Sequence, residues 1–280
     1  VGGSGLLGRA LFKELHPYMD VYATYNTQER YAKNKRYFSY DINEDSPTEL
    51  LRFIKPNVIL STLRGDARAQ FVAHDILVDY ATQHGTRLVL LSSANVFDSF
   101  RHYPSYEHDK TLSKSVFGKL KITLENKLMR MPAFSWTIAR LPMVFGANSP
   151  RLQELKNAIH TQEAYEIFPN SVINVTADYF VTQQLHYILN RNRWGIFHLG
   201  SKDLVHHDAF IDLLVKGLKP TKKPVYKYVY ASNVDRYIAV LPKYNNLPKH
   251  LSYTHEDVLL ETLKTQTPKT KWGIMEWFGE

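Results

Sequence analysis

The chain of 280 residues contains no cysteine. That excludes disulfide staples, thiolate zinc sites and a cysteine nucleophile. It has no unbroken apolar run of about 18 residues, so no membrane-spanning helix is expected. No basic head followed by an apolar stretch stands at Val1-Gly2-Gly3, and a cytoplasmic location is expected. Charged residues make up only 22% and hydrophobic residues 44%, which excludes global disorder and leaves enough for a sizeable core. The length predicts about two domains, or one large one. Lys plus Arg outnumber Asp plus Glu by 35 to 27, a net charge of +8. The basic residues are scattered apart from Lys219, Lys222, Lys223 and Lys227, which reads as a solvated surface. The excess favours an anionic small molecule over nucleic acid or a membrane as partner.

Over the first two-thirds, strand and helix patterns alternate. Val21 to Tyr25 is a short β-branched and aromatic run. Ser46-Pro47-Thr48-Glu49 predicts a helix start, with Ser46 as cap, Pro47 in the first turn and Glu49 completing a capping box. Asn57 to Ser61 and Arg87 to Ser92 read as buried strands. Between them Ala69, Val72, Ala73, Ile76, Leu77 and Tyr80 recur at helical spacing up to Gly85. Ser115 to Met131 predicts a helix stopped by Pro132, and Trp136 to Arg140 a further strand. Strands apolar on both faces, separated by helices, predict an α/β fold with a doubly wound parallel sheet. After about residue 145 the alternation breaks down, and Leu241-Pro242 to Leu247-Pro248 reads as irregular structure.

The glycines carry the first chemical signal. Gly2-Gly3-Ser4-Gly5-Leu6-Leu7-Gly8 holds Gly-x-x-Gly-x-x-Gly and runs into Ala10, Leu11 and Leu15 at helical spacing. A tight strand-to-helix turn needs positive φ, and a pyrophosphate needs bare backbone to approach. The helix N-terminus then offers free N–H groups and the positive dipole end. Gly2, Ser4, Gly5, Leu6, Leu7 and Gly8 are therefore candidate cofactor-binding residues. The strand expected ahead of the loop is missing. Val1 would be its last residue, and a shortened chain is expected. An acid at the end of the second strand takes the ribose 2′-OH of NAD. Tyr25-Asn26-Thr27 holds that place here, followed by Arg30, Lys33, Lys35 and Arg36. This favours NADP(H) over NAD(H), with Asn26 and Arg30 as candidate contacts.

Leu91-Ser92-Ser93-Ala94-Asn95-Val96-Phe97-Asp98 resembles a segment of the extended short-chain dehydrogenases/reductases. More narrowly, it is similar to the dTDP-4-dehydrorhamnose reductase family, which has Ser-Thr-Asp-Tyr-Val-Phe there. Other segments agree in order and spacing. They are the glycine loop, Tyr40-Asp41-Ile42, Lys55-Pro56-Asn57-Val58-Ile59, Glu107-x-Asp109, and Phe117-Gly118-Lys119-Leu120-Lys121 with Glu125. Arg140 with Val144-Phe145-Gly146, Asp178, and Gly195-Ile196-Phe197-His198-Leu199 follow. The resemblance covers about residues 1–200 well and the rest loosely. It implies a Rossmann domain over 1–145 plus 177–200. A smaller, interleaved substrate lobe would span 146–176 plus 201–280. It implies that Asp41 and Ile42 flank the adenine. Ser61, Thr62 and Leu63 would stand beside the cofactor ribose and phosphates, where the family has Asn-Ala-Ala. Ser93 would bond the substrate carbonyl, and Lys121 the nicotinamide ribose. The implied substrate is a nucleotide sugar, and a homodimer is an expected assembly.

One departure matters most. The family's catalytic pair is Tyr-x-x-x-Lys, and this chain has Phe117-x-x-x-Lys121. The spacing puts both on one helix face, but phenylalanine has no proton to give. A positioned general acid contributes about 10²–10⁴ in rate. Asn95 and Ala94 also replace the family's Tyr and Asp, which weakens the expected substrate contact at Asn95. Three readings follow. The chain binds NADP(H) with impaired or lost ketoreductase activity, in a regulatory or scaffold role. Or it is an active 4-keto-6-deoxy-sugar-nucleotide reductase with another donor, Tyr106 or Tyr103 before His102 or His108. Or it is an interaction module without cofactor. His206-His207-Asp208 reads as a helix start rather than a metal site, because adjacent residues point to different faces. Trp272 and Trp277 are expected to dock the tail.

Overall fold

A computed structural model describes residues 1–100, 102–230 and 232–264. Trp272 and Trp277 lie outside the described residues. In chain order the elements are α1 (Leu6–Leu15), β1 (Ala23–Tyr25), β2 (Tyr37–Ser39), α2 (Thr48–Ile54), β3 (Val58–Ser61), α3 (Ala67–His84) and β4 (Arg87–Ser93). Then come α4 (Val116–Leu128), β5 (Trp136–Leu141), β6 (Met143–Phe145), α5 (Pro150–Thr161), β7 (Ala164–Ile167), β8 (Ser171–Ile173), β9 (Val175–Ala177) and α6 (Asp178–Asn190). The chain continues through β10 (Gly195–His198), β11 (Val205–His206), α7 (His207–Leu218), β12 (Val225–Tyr228), β13 (Arg236–Ile238) and α8 (His255–Leu263).

The main sheet is parallel, in the order β10-β5-β4-β3, with β1 and β2 as a second parallel pair. Val1 links the two. Its amino group donates to Leu60 O at 2.8 Å, and its carbonyl accepts from Thr62 N–H at 3.0 Å. On the other side Gly2 N–H donates to Thr24 Oγ1 and Ser4 N–H to Thr24 O. Val1 thus sits where the last residue of a strand between β1 and β3 belongs.

The apolar runs explain the layers. In β4, Leu88 and Leu90 face α3 and α4 with Leu77, Leu124 and Leu128. Val89 and Leu91 face α1 and α6 with Leu11, Leu15, Val181 and Leu185. A strand buried on both faces has no polar side to show, hence its continuous hydrophobic reading. Helix ends follow the sequence. Gly85 closes α3 at φ +65°, and Ser115 caps α4 by accepting from Gly118 N–H. At α2 the N-cap is Pro47, not Ser46, and no side chain caps the helix; Ser46 Oγ accepts instead from Thr48 N–H two residues on, at 3.4 Å, so the expected capping box is not formed among the described residues.

Beyond β5 the sheets are small: β6–β9, β11-β8-β13 and β12–β7. Their core joins Phe145, Leu155, Ile173, Phe210, Leu214 and Val258. Val240 and Ile238 pack on Ala94, Val96 and Phe97, which bolts this part of the chain to the end of β4. Among the described residues no helix is long and apolar enough to cross a membrane.

Candidate functional site

The strand ends and helix starts of the main sheet gather most of the residues singled out in the sequence. Gly2 has φ +82°, and a Cβ on Gly8 would lie 2.2 Å from Gly2 O. Only glycine lets α1 begin this close to the turn. Gly5 precedes α1 with no side-chain cap, and the N–H groups of Leu6, Leu7 and Gly8 find no acceptor among the described residues. Ser4 lies half-buried and Gly5 exposed beside them. This is a cradle of free donors at a helix N-terminus, the geometry that suits a phosphate.

Next to it, Gln28 Nε2 reaches Ser4 O at 3.5 Å, and Arg30 donates to Gln28 Oε1 at 2.7 Å. Arg30 is thereby tethered to the glycine loop. Asp41 accepts from the Asn43 backbone and side chain. The Asn43 backbone bond, then the Asn43 and Asn26 side chains, hold its carboxyl below the usual range. Ile42 packs with Leu63, Tyr40 and Ala73.

The three residues in place of Asn-Ala-Ala turn inward. Leu63 is buried in that last cluster. Thr62 Oγ1 donates to the carbonyls of Gly2 (2.8 Å) and Val1 (3.0 Å), bracing the glycine loop from below. Ser61 Oγ lies 2.9 Å from His74 Nε2, and His74 Nδ1 lies 2.6 Å from Gln70 O. A carbonyl only accepts, so Nδ1 carries the proton and Ser61 donates to Nε2. Burial pushes the His74 pKa down to about 4, keeping the ring neutral.

At the end of β4, Ser93 Oγ donates to Asn95 Oδ1 (3.0 Å) and accepts from Asn95 N–H (3.2 Å). Helix α4 is pressed against this turn because position 118 is glycine: a Cβ there would lie 2.4 Å from Asn95 O. One face of α4 then carries Phe117, Lys121 and Glu125 at four-residue spacing. Phe117 is 44% exposed and Lys121 only 5%. The Lys121 Nζ lies 5.7 Å from the Phe117 ring centroid. Burial, reinforced by the charge of Arg64, lowers its pKa to about 8, while Glu125 opposes the shift. Glu125 is itself held by Arg140 at 2.8 Å and by the Ser92 hydroxyl. Arg140 also donates to Glu107 O. This buried ion pair fixes the helix to the sheet.

Tyr103 and Tyr106 are not part of this group. Tyr103 is 79% exposed. Tyr106 lies under Lys243, with Nζ 5.2 Å from its ring centroid, and its N–H donates to Asp109. His108 stands against Tyr244. None of the three has a hydrogen bond or ring contact with Ser93, Phe117 or Lys121 among the described residues. His206 and His207 are pointed apart, His206 toward Pro169 O and Asp235, His207 toward the Phe168 N–H.

Sequence reasoning assigned no role to three residues that the structure puts to use. Arg64, exposed three residues past the end of β3, puts a second cation near Lys121; its signal was an arginine just beyond the C-terminal end of a parallel strand. Thr24 anchors the glycine loop from β1. The Glu107 carboxylate accepts the backbone N–H groups of Lys243, Tyr244 and Asn245 at 3.0–3.3 Å. No local signal pairs residues so far apart.

Against known proteins, the sequence model described as RmlD substrate binding domain matches residues 1–237. No curated protein matches the sequence. Solved structures share the fold at low identity. A dTDP-4-dehydrorhamnose reductase from Clostridium acetobutylicum is 17% identical with a TM-score of 0.70, covering 94% of this chain and 96% of that one. The Bacillus anthracis dTDP-4-dehydrorhamnose reductase in complex with NADP is 13% identical with a TM-score of 0.71, over 94% and 97%. The Thermus thermophilus UDP-glucose 4-epimerase complex with NAD is 14% identical with a TM-score of 0.75, over 94% and 96%. With a family model spanning most of its length and a Rossmann-type sheet beneath, this chain belongs to the RmlD substrate binding domain family.

Proposed function

We propose that the protein binds a nicotinamide dinucleotide, NADP(H) in preference, together with a nucleotide sugar, and that its 4-ketoreductase chemistry is impaired or lost. The cofactor would lie on the unit formed by 1–145 and 177–200, and the sugar between it and the lobe of 146–176 and 201–280. The residues present fit a dinucleotide. Free N–H groups at the start of α1 receive the pyrophosphate, and a Cβ at Gly8 would collide with that loop. Asn26, Asp41 and Ile42 stand on the adenosine side. Arg30, tethered through Gln28 to Ser4, offers its charge to a 2′-phosphate. Lys121 holds the nicotinamide ribose.

A bound nicotinamide supplies the hydride; the chain must supply the proton. The observation that carries the reading is at that point. The ring of Phe117 occupies the helix face beside Lys121, without a hydroxyl. Ser93 donates its one hydroxyl proton to Asn95 Oδ1, so it can serve a ketone oxygen only by giving up that bond. Losing an oxyanion donor costs about 3–4 kcal/mol in the transition state. Tyr106 is engaged under Lys243 instead.

Binding and turnover test this separately. Titration with NADPH and NADH should show binding of both, with NADPH tighter. NADPH oxidation with nucleotide-activated 4-keto-6-deoxy sugars should be negligible. Absence of dinucleotide binding contradicts the cofactor reading. Brisk turnover abolished by Tyr106→Phe contradicts the impaired chemistry and makes the chain an active reductase with a relocated donor.

A further inference from the structure

Ser93 ends β4 and heads a single 3₁₀ turn over Ala94–Phe97. Its extended backbone lets Oγ accept from the Asn95 N–H two residues on, at 3.2 Å. The same oxygen donates its proton to Asn95 Oδ1, at 3.0 Å. A serine hydroxyl has one hydrogen to give. One residue therefore engages both sides of it. The main chain of Asn95 fixes the oxygen, and the carboxamide takes the proton. No other hydrogen bond among the described residues reaches this hydroxyl.

The turn that carries Asn95 is held at several points. Val96 and Phe97 are buried against Val240. Val96 O accepts from Leu112 N–H at 2.8 Å. The Asp98 carboxylate accepts from the Ser113 and Ser115 hydroxyls and from the Lys114 N–H, at 2.6–2.7 Å. Gly118 brings α4 onto the Asn95 carbonyl, where a Cβ would lie 2.4 Å away. The pair thus sits on a turn fixed by its own packing, and freeing the Ser93 proton falls to the substrate.

We propose that Asn95 is a positioning residue that holds the Ser93 proton away from a bound ketone, a second restraint on the chemistry beside the missing hydroxyl at Phe117. This rests on the reading under Proposed function, in which Ser93 is the donor left for the ketone oxygen. An oxyanion donor is effective when it is free and aimed before charge develops. Here a ketone oxygen has to displace a carboxamide oxygen already in place, and exchanging one acceptor for another returns little net energy. Removing the carboxamide leaves the main-chain N–H of residue 95 to hold Oγ. The hydroxyl then keeps its place while its proton is released.

The test compares Asn95→Ala, Asn95→Asp and Asn95→Ala/Ser93→Ala in a Phe117→Tyr background. Turnover is followed with NADPH and a 4-keto-6-deoxy-sugar nucleotide, and NADPH binding reports that each variant is folded. Asn95→Ala should raise kcat by about three- to tenfold, the worth of one hydrogen bond. Asn95→Asp keeps an acceptor at the same reach and should give no gain. Adding Ser93→Ala should abolish the gain, a dependence that a merely structural role for the carboxamide would not produce. A second readout needs no turnover. With Phe117 kept, calorimetric titration of the sugar nucleotide onto the NADP⁺ complex should show binding tightened by Asn95→Ala and not by Asn95→Asp. No gain from Asn95→Ala in both readouts, or a gain that survives Ser93→Ala, overturns the proposal. So does a loss of rate, which would make the carboxamide itself the substrate donor. Tighter sugar binding by Asn95→Ala with no turnover from Phe117→Tyr leaves the Asn95 restraint standing and contradicts the missing-donor reading instead. No sugar binding in any variant contradicts both.

Discussion

At the residue scale, Phe117 and Lys121 define the candidate chemistry, and Lys121 has a measurable consequence. Burial holds its pKa near 8, below the ordinary 10.5. Below pH 8 the folded state carries a costly buried ammonium. Between about 8 and 10.5 the folded protein binds fewer protons than the unfolded chain, so stability rises with pH across that window. Lys121→Met should therefore stabilise the cofactor-free protein at pH 7 by on the order of 1–3 kcal/mol and flatten its alkaline profile, while weakening dinucleotide binding. Chemical denaturation at pH 7 and pH 10 checks this. Gly8→Ala should do the opposite, because the added Cβ meets backbone at 2.2 Å. Its melting temperature should fall and NADPH binding should be lost. The i, i+4 spacing of Phe117 and Lys121 was legible in the sequence because a helix period puts them on one face. The inward turn of Ser61 and Thr62 was not. It depends on His74 and on the Val1 and Gly2 carbonyls, partners that only the folded sheet brings near.

At the scale of elements, β4 and β5 could be read directly, since burial on both faces leaves a largely apolar run, and β3 by Val58-Ile59-Leu60, although Val58 stays exposed. The strands β6 to β13 other than β10 could not. They are two to four residues long, and β7 and β12 are largely exposed. Nothing in their local pattern separates them from loop. The strap over residues 243–245 is likewise invisible in sequence, because its anchor, Glu107, lies more than a hundred residues earlier. Removing that anchor leaves three backbone N–H groups without their carboxylate. Glu107→Ala should cost about 2 kcal/mol or more and open the 241–247 segment to proteolysis. A Glu107→Gln variant should recover part of the loss. Unchanged stability in both would show that the strap is held by other contacts.

At the scale of the molecule, the parallel sheet was legible and its order β10-β5-β4-β3 was not, since no local pattern says which strands become neighbours; the glycine loop lies at the sheet's C-terminal edge as the parallel reading requires. The sequence places Val1 at the end of a strand, and its bonds to Leu60 O and Thr62 N–H set it beside β3 as that reading requires.

The central claim is that the proposed chemistry lacks a proton donor at Phe117, beside Lys121. Its most direct test is the rate of NADPH oxidation by Phe117→Tyr beside the unaltered protein, at saturating 4-keto-6-deoxy-sugar nucleotide. The account predicts a gain of about tenfold or more from the single hydroxyl, with NADPH affinity unchanged. An unaltered protein that already turns over, with no gain from Phe117→Tyr, would contradict it.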